Sequence, residues 1–467
     1  MTTTRTLPRP FRAGEVLTVE IEKLALLGRG VARHQGMTLF VKDGLPGDRA
    51  QVCVTKLKPN YAESRLLQLE RPSPERIAPA CQHFGSCGGC DLQHLAYATQ
   101  VAWKRTQLIE TLEHLGGIRT LPDVAVVPMP EPWHYRNKME FSFGEYQGRI
   151  VTGLHQRGSF QRIVKLTHCW IAPELASVVL QVVEDAANAS GLPAYNQRRH
   201  EGFWRYMVIR VAQSTGQAML MVVTNEGPRE AVVRLAEQVT RALPQVRHVL
   251  WGISARVSDV AHPERTEVLV GSDVMEDGIG PLTLQVRPMS FMQPNLGQAE
   301  QLYQEMLAAA ALTGREVVYD LYCGSGLIAL LMAPHAKMVY GLESDPENVS
   351  LATANARLNQ VTNATFVCGK VEDLLVRRGL FRLGPAPDLL VLDPPRVGLH
   401  PDTIAPLLNA QAPRLFYISC NPASLARDLK VLLEREPRYA MTRLFLFDFF
   451  PHTAHMEIFV TLERRLT

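Results

Sequence analysis

After about residue 296 the chain falls into five short apolar runs, EVVYDLYCG, MVYGLE, ATFVCG, DLLVLDPP and LFYISC, with helical stretches between them. Unbroken apolar strands of this kind sit in parallel sheets buried on both faces, and parallel neighbours need a crossover of a dozen or more residues. The pattern predicts an open α/β sheet in the last third of the chain. Two final strands, RLFLFDFF and MEIFVTL, are separated only by PHTAH, so this last pair is expected to be antiparallel. Sheets of this class bind ligands at the carboxyl ends of their strands, and polar residues there are the first site candidates.

The remainder reads differently. A chain of 467 residues is too long for one core and suggests about three domains. From about 14 to 70, alternating apolar residues punctuated by Gly, Pro and Asp argue a small all-β barrel. ERPSPERIAPA then forms a linker. Between about 95 and 290 the reading is mixed: a helix in AYATQVAWKRTQLIETLEHLG, strands turning at Gly148 and Gly158, a hairpin turning at Thr215 and Gly216, a helix in REAVVRLAEQVTRAL and a strand in HVLWGISAR. The fold class is therefore multidomain α/β: a barrel over 1–75, a central α+β domain over 76–290 and a Rossmann-like domain over 291–467.

No apolar run approaches the roughly 18 residues that span a bilayer, and MTTTRTLPRPFRAGE lacks the apolar core of a secretory signal. A cytoplasmic protein with no membrane partner is expected. The formal net charge is only +3, but residues 1–75 carry twelve Lys and Arg against eight Asp and Glu. A basic module on a nearly neutral body suits RNA docking, although a solvated surface would look the same.

Three strand ends carry chemistry. Asp320-Leu321-Tyr322-Cys323-Gly324-Ser325-Gly326 ends the first parallel strand, and its glycines let backbone approach a ligand. Glu343 ends the next strand, where an acid can accept hydrogen bonds from a ribose diol. The full glycine pattern of a dinucleotide site is missing, so a nucleoside without phosphates, such as S-adenosylmethionine, fits better. Asp393, in Leu392-Asp393-Pro394-Pro395-Arg396, lies on the same edge, and a helix N-cap is its purely structural alternative.

Ser419-Cys420-Asn421-Pro422 ends the fifth strand. A lone cysteine is commonly core, but this polar turn sets Cys420 at a cleft, and Asn421-Pro422 starts a helix whose N-terminus would stabilise thiolate. Glu457, at the start of the last strand, is the candidate base; an exposed strand-end glutamate is the alternative. Cys81, Cys87 and Cys90 lie within ten residues, and Cys169 follows 79 residues after Cys90. Four thiolates suit zinc or an iron–sulfur cluster, and spacing alone leaves both open. His83 and His94 are read as solvated or packing residues.

These motifs, with Tyr135-Arg136-Asn137-Lys138, Phe291-Met292-Gln293-Pro294-Asn295 and Asp448-Phe449-Phe450-Pro451-His452-Thr453, resemble the RNA (uracil-5-)-methyltransferase family. The resemblance is to its iron–sulfur branch, which carries a TRAM domain and modifies 23S ribosomal RNA. It implies S-adenosyl-L-methionine as methyl donor, with Gln293, Tyr322, Gly324, Glu343 and Asp393 around it and Phe291 beside the target nucleotide. It implies Cys420 as covalent nucleophile and Glu457 as proton acceptor. It also implies a 4Fe–4S cluster on Cys81, Cys87, Cys90 and Cys169, and a TRAM-type, OB-like RNA-binding barrel. Leu327 and Lys370 depart from the family pattern near the cofactor.

Carbon 5 of uracil is a weak nucleophile, and thiolate addition at carbon 6 activates it, which is the logic of covalent catalysis. The uridine must be single-stranded or flipped out. Trp204, Arg205, Tyr206, Arg210, Arg136 and Lys138 are candidate RNA contacts, with strand packing the alternative for the aromatic ones. The expected enzyme is a monomer with 23S ribosomal RNA as partner and no obligate protein partner. The same reaction on tRNA, or a non-catalytic RNA-binding role, are the alternatives.

Overall fold

Alternation is plainest at the N-terminus, where every second residue of β1 (Val16–Ala25) faces inward until a bulge near Lys23. The strand pairs with β2 (Arg29–His34), which continues to β3 (Met37–Lys42), β4 (Arg49–Leu57) and β5 (Tyr61–Arg71). In the order β1-β2-β3-β5-β4 these close into a barrel, since β4 returns to pair with β1. Leu17, Val19, Ile21, Leu39, Val41, Val52 and Val54 fill it. Closure leaves no open sheet edge. The stretch after β5 is tied back by Asp48, which is fully buried and accepts the backbone N–H groups of Leu45 and Ser73 and the Arg76 guanidinium. The expected barrel is therefore present.

The structure is a computed structural model that describes residues 11–257, 262–377 and 379–465. Their contacts gather into two units: the residues up to Gln107 with Phe450–His455, and Leu108–Phe449 with the residues from Met456 onward. The first unit also holds Cys81, Cys87 and Cys90 and the start of helix α1 (Tyr97–His114). Trp103 of that helix packs with Leu24, Leu92, Leu95 and Ala454. Lys104, fully buried, donates to the Phe450 carbonyl at 3.0 Å, and Gln100 accepts the His452 N–H at 3.0 Å.

In the second unit, β6 (Val124–Val127) is followed by β7 (Lys138–Tyr146), β8 (Arg149–His155) and β9 (Ile163–Lys165). Then come α2 (Glu174–Ala189), β10 (Trp204–Val211), β11 (Ala218–Thr224), α3 (Arg229–Ala242), β12 (Val246–Ile253) and β13 (Arg265–Val270). Strands β7 to β13 form one sheet in the order β13-β12-β11-β10-β7-β8-β9. Only β11 and β12 are parallel, because α3 supplies their crossover. Helix α2 buries Ala176, Val179, Leu180, Val183 and Ala187 at three- and four-residue spacing. Each such valine or leucine stabilises by about 1.5–3 kcal/mol.

A two-stranded ribbon, β14 (Met275–Ile279) with β15 (Leu282–Val286), leads into α4 (Leu296–Ala310). The alternation then runs β16 (Val317–Leu321), α5 (Leu327–Met332), β17 (Met338–Glu343), α6 (Pro346–Leu358), β18 (Ala364–Cys368), α7 (Val371–Val376), α8 (Leu380–Leu383) and β19 (Leu389–Leu392). It ends with α9 (Pro401–Asn409), β20 (Arg414–Ser419), α10 (Pro422–Arg435), β21 (Tyr439–Phe447) and β22 (Glu457–Arg464). The sheet order is β18-β17-β16-β19-β20-β22-β21-β6. Strands β16 to β20 are parallel and β21–β22 antiparallel, as the crossover lengths require. The edge strand β6 comes from the segment assigned to the central domain and lies parallel to β21. Order reverses between β16 and β19, and a crevice opens at such a switch point.

Candidate active site

The turn after β16 is held by its neighbour. Tyr322 and Cys323 both donate backbone N–H to the Leu342 carbonyl, at 2.9 and 3.0 Å, and Gly326 donates to Cys323 O at 2.9 Å. Tyr322 takes φ +67°, an uncommon conformation for a side-chain-bearing residue. At Gly326, φ is +86° and a Cβ would stand 2.9 Å from Ala352 Cβ and from the Phe366 ring, so only glycine fits. The Gly324 N–H donates to Glu343 Oε2 at 3.0 Å, which locks the turn to the end of β17. Glu343 Oε1 accepts from Ser344 Oγ and the Asp345 N–H. Each carboxylate oxygen has two lone pairs, so Glu343 keeps acceptor capacity for a diol.

Four acidic or phenolic groups crowd beside this turn. Asp320 is fully buried; its Oδ2 accepts the Ala329 N–H at 3.0 Å and its Oδ1 has no hydrogen-bond partner among the described residues. Burial, then Asp393, pushes the Asp320 carboxyl up to about 8. Asp393, half-buried after β19, is pushed up to about 7 by burial. Glu457, only 4% exposed, is raised well above the carboxylate range by burial and then by Asp393. It is therefore no surface strand-end glutamate. Tyr303 of α4 is buried among all three carboxyls and shares a hydrogen bond with the Gln293 side chain.

Cys420 stands partly exposed immediately after β20. Asn421 caps α10 by accepting the Ala423 N–H at 3.1 Å, and its Nδ2 donates to the Arg396 carbonyl at 3.0 Å. The expected helix start beside the thiol is present, but the expected lowering of its pKa is not. Burial and then Glu457 push Cys420 up to about 11, while Arg396 pulls it down. Desolvation of the anion is the largest influence on the thiol and outweighs the pull of Arg396.

Gln293 and Asp393 thus face the same group of side chains as Glu457, and Phe291, 56% exposed, comes within 3.8 Å of the Cβ position of Gly324. The loop carrying them is pinned: Asn137 Nδ2 donates to Gln293 O at 2.9 Å, and Arg210 donates to the carbonyls of Pro288 and Ser290. The Tyr322 hydroxyl is instead engaged by Thr403 of α9, so its part in the turn is played by its backbone. Leu327 is buried at the start of α5, and Lys370 is exposed. Sequence reasoning missed Tyr303, which carries no motif, and the effect of Arg396 on the thiol.

The RNA-contact candidates on β10 need correcting. Trp204, Arg205, Tyr206 and Arg210 are 0, 2, 6 and 3% exposed. Trp204 Nε1 donates to Ser190 Oγ, and Arg205 stacks at 4.1 Å on Tyr195 while donating to Ser254 O. They are buried because both faces of β10 are covered, Trp204 packing on Phe143 and Phe203. Lys138 is also engaged, at 2.8 Å from Glu140.

Among the described residues no group of three or more His, Cys, Asp or Glu side chains is arranged to hold a metal ion. Cys81, Cys87 and Cys90 belong to the first unit and Cys169 to the second. Two of these thiols accept hydrogen bonds, from the Gly89 N–H to Cys87 Sγ at 3.4 Å and from Gln93 Nε2 to Cys90 Sγ at 3.3 Å. No helix among the described residues is long and apolar enough to cross a membrane.

Comparison with known proteins agrees with this geometry. Residues 235–465 match the family model described as tRNA (uracil-5-)-methyltransferase, and residues 10–67 match the TRAM domain. A Bacillus cereus protein described as an uncharacterized RNA methyltransferase is 36% identical over 97% of this chain and 98% of its own. One from Nitratidesulfovibrio vulgaris, described in the same words, is 36% identical over 97% of each chain. The crystal structure of Pyrococcus abyssi tRNA (uracil-54, C5)-methyltransferase in complex with S-adenosyl-L-homocysteine superposes with a TM-score of 0.75. That alignment covers 95% of this chain and 99% of the other at 27% identity. The chain belongs to the S-adenosylmethionine-dependent uracil-5 RNA methyltransferase family.

Proposed function

We propose that the protein methylates carbon 5 of a specific uridine in 23S ribosomal RNA, with Cys420 as covalent nucleophile and Glu457 as the base. The observation that carries this is the electrostatic grouping of Cys420, Glu457 and Asp393 at the carboxyl edge of the sheet. Residues 1–75 are read as the RNA-docking barrel, 76–290 as the central RNA-binding domain and 291–467 as the catalytic domain. S-adenosylmethionine, held by Gln293, Tyr322, Gly324, Glu343 and Asp393, supplies an electrophilic methyl group on a positive sulfonium, and that charge favours ionised thiol and carboxyl groups nearby.

Cys420 thiolate gives its electron pair to carbon 6 of the uracil, and the carbon 5–carbon 6 π electrons become an enolate. Carbon 5 then takes the methyl group as the methyl–sulfur bond of the donor breaks, its electron pair staying on sulfur. Glu457 accepts the carbon-5 proton, the double bond re-forms, and the carbon 6–sulfur bond breaks to release Cys420. Arg396 favours the thiolate throughout.

Cys81, Cys87 and Cys90, with Cys169, are proposed to hold a 4Fe–4S cluster, with zinc the other metal their chemistry accepts. The cysteine set and the barrel favour ribosomal RNA. The second reading is the same reaction on tRNA, favoured by the activity in the name of the Pyrococcus abyssi neighbour. A non-catalytic RNA-binding role is the third. The enzyme is proposed to work in the cytoplasm as a monomer.

The test is incubation of anaerobically purified protein with labelled S-adenosylmethionine and unmodified 23S ribosomal RNA or tRNA, followed by mapping of 5-methyluridine. Label at one ribosomal uridine, lost in Cys420→Ala, is the expected result. Label in tRNA alone would move the substrate, and no label in either would leave only the RNA-binding role.

A further inference from the structure

A cavity of about 460 Å³ opens on the central sheet, beside the Arg205–Tyr195 stack. Its walls are the end of β7 at Gly144 and Glu145, the segment Phe160–Ile163, and the loop Pro193–Gly202. Phe160 stands on its rim 79% exposed, an unusual state for a phenylalanine. Arg162, Arg198 and Arg199 are exposed in the same lining and form no ion pair among the described residues. Tyr195, also in the wall, is held by the Arg205 guanidinium 4.1 Å from its ring centroid and by a 3.2 Å contact between its hydroxyl and His200.

The loop is built rather than slack. Asn196 Oδ1 accepts the N–H groups of Arg198 and Arg199 at 3.0 and 3.1 Å, and Asn196 N–H donates to Glu201 O at 2.7 Å. That hairpin fixes two consecutive arginines at the mouth of the cavity. An exposed aromatic ring with several unpaired guanidinium groups is the composition that grips a nucleic-acid single strand, with the ring stacking a base and the cations meeting phosphates. An apolar protein partner would leave the arginines desolvated without counter-charges.

We infer that this cavity is a secondary docking site for single-stranded RNA, in which Phe160 stacks on a base and Arg162, Arg198 and Arg199 contact the phosphates beside it. Asn137, which bonds the Gln293 loop, precedes β7, and Gly144 lies seven residues further along. At about 3.3 Å per residue the cavity is roughly 23 Å from that loop. It therefore reads nucleotides several positions from the target. The inference rests on the proposed RNA-methylating function.

The test uses the full chain and a fluorescein-labelled single-stranded uridine 12-mer, with anisotropy read from about 50 to 300 mM salt. Replacing two phosphate contacts in Arg198→Ala/Arg199→Ala should flatten the slope of log K against log salt by about 1.4. Phe160→Ala should weaken binding about tenfold at fixed salt, the fold-change of one lost stacked base. S-adenosylhomocysteine affinity, read by calorimetry, should stay unchanged in both and shows that the site fold is intact. Unchanged RNA affinity and salt slope in both variants would overturn the inference and leave the proposed function standing. A wild-type chain that binds no RNA would overturn the proposed function first, and this inference with it.

Discussion

The Cys420 thiol gives a quantitative handle on the site. Its pKa stands at about 11, because burial and Glu457 oppose the anion more than Arg396 favours it. At pH 7 roughly one thiol in ten thousand is then ionised, against about 3% for an ordinary cysteine near 8.5. Iodoacetamide reacts with thiolate alone, so the ligand-free enzyme should be alkylated at Cys420 about 300-fold more slowly than an ordinary exposed thiol. The rate should climb about tenfold per pH unit and still be rising at pH 10. Quenched time courses read by mass spectrometry of the Cys420 peptide measure this. Arg396→Ala should slow alkylation further, and Glu457→Gln should speed it, because the Glu457 carboxylate opposes the thiolate. A wild-type rate that levels off at or below pH 8.5 would show that the helix end dominates after all.

Three further outcomes follow from the site and its proposed chemistry, and a fourth from the proposed cluster. Asp320 holds its proton to about pH 8 in the folded state and to about 4 in the unfolded chain, so its contribution to stability is greatest below 4 and is lost as pH rises to 8. Thermal unfolding of Asp320→Asn between pH 5 and 9 should accordingly gain on the wild type as pH increases, and parallel curves would contradict the assignment. Gly326→Ala forces a side chain into φ +86° against Ala352 and Phe366, and should cost at least about 1–3 kcal/mol of stability and weaken S-adenosylhomocysteine binding tenfold or more, read by calorimetry. Glu457→Gln cannot remove the carbon-5 proton, so denaturing gels should show a covalent protein–RNA adduct that Cys420→Ala lacks. Metal analysis of anaerobically purified protein should find about four irons and four sulfides per chain, as a Cys-ligated 4Fe–4S centre requires, reduced in Cys87→Ser; one zinc per chain would replace the cluster assignment.

Much of the catalytic half was legible before any coordinates. Strand periodicity and crossover length dictate a parallel sheet with an antiparallel end, because a five-residue connection cannot carry a chain across a sheet face. The glycine turn at Gly324, the acid at Glu343, Asp393 and Cys420 all fall at strand ends, and strand ends on one edge must converge. The barrel was legible for a similar reason, since alternation with turn residues leaves few ways to bury one face.

Tertiary structure alone decided the rest. Trp204, Arg205, Tyr206 and Arg210 carry the composition of an RNA-binding strand, yet both faces of β10 are covered and bury them. A local sequence cannot say which distant segments will cover the two faces of its strand. Tyr303 sits in an unremarkable helix and meets Gln293 only because the Asn137-bonded loop brings them together. The protonation of Cys420 and Glu457 likewise depends on how much water the folded edge excludes. Sequence determined which residue types stand at the strand ends; burial, which sums over segments far apart in the chain, decided their charge and which surface remains open to RNA.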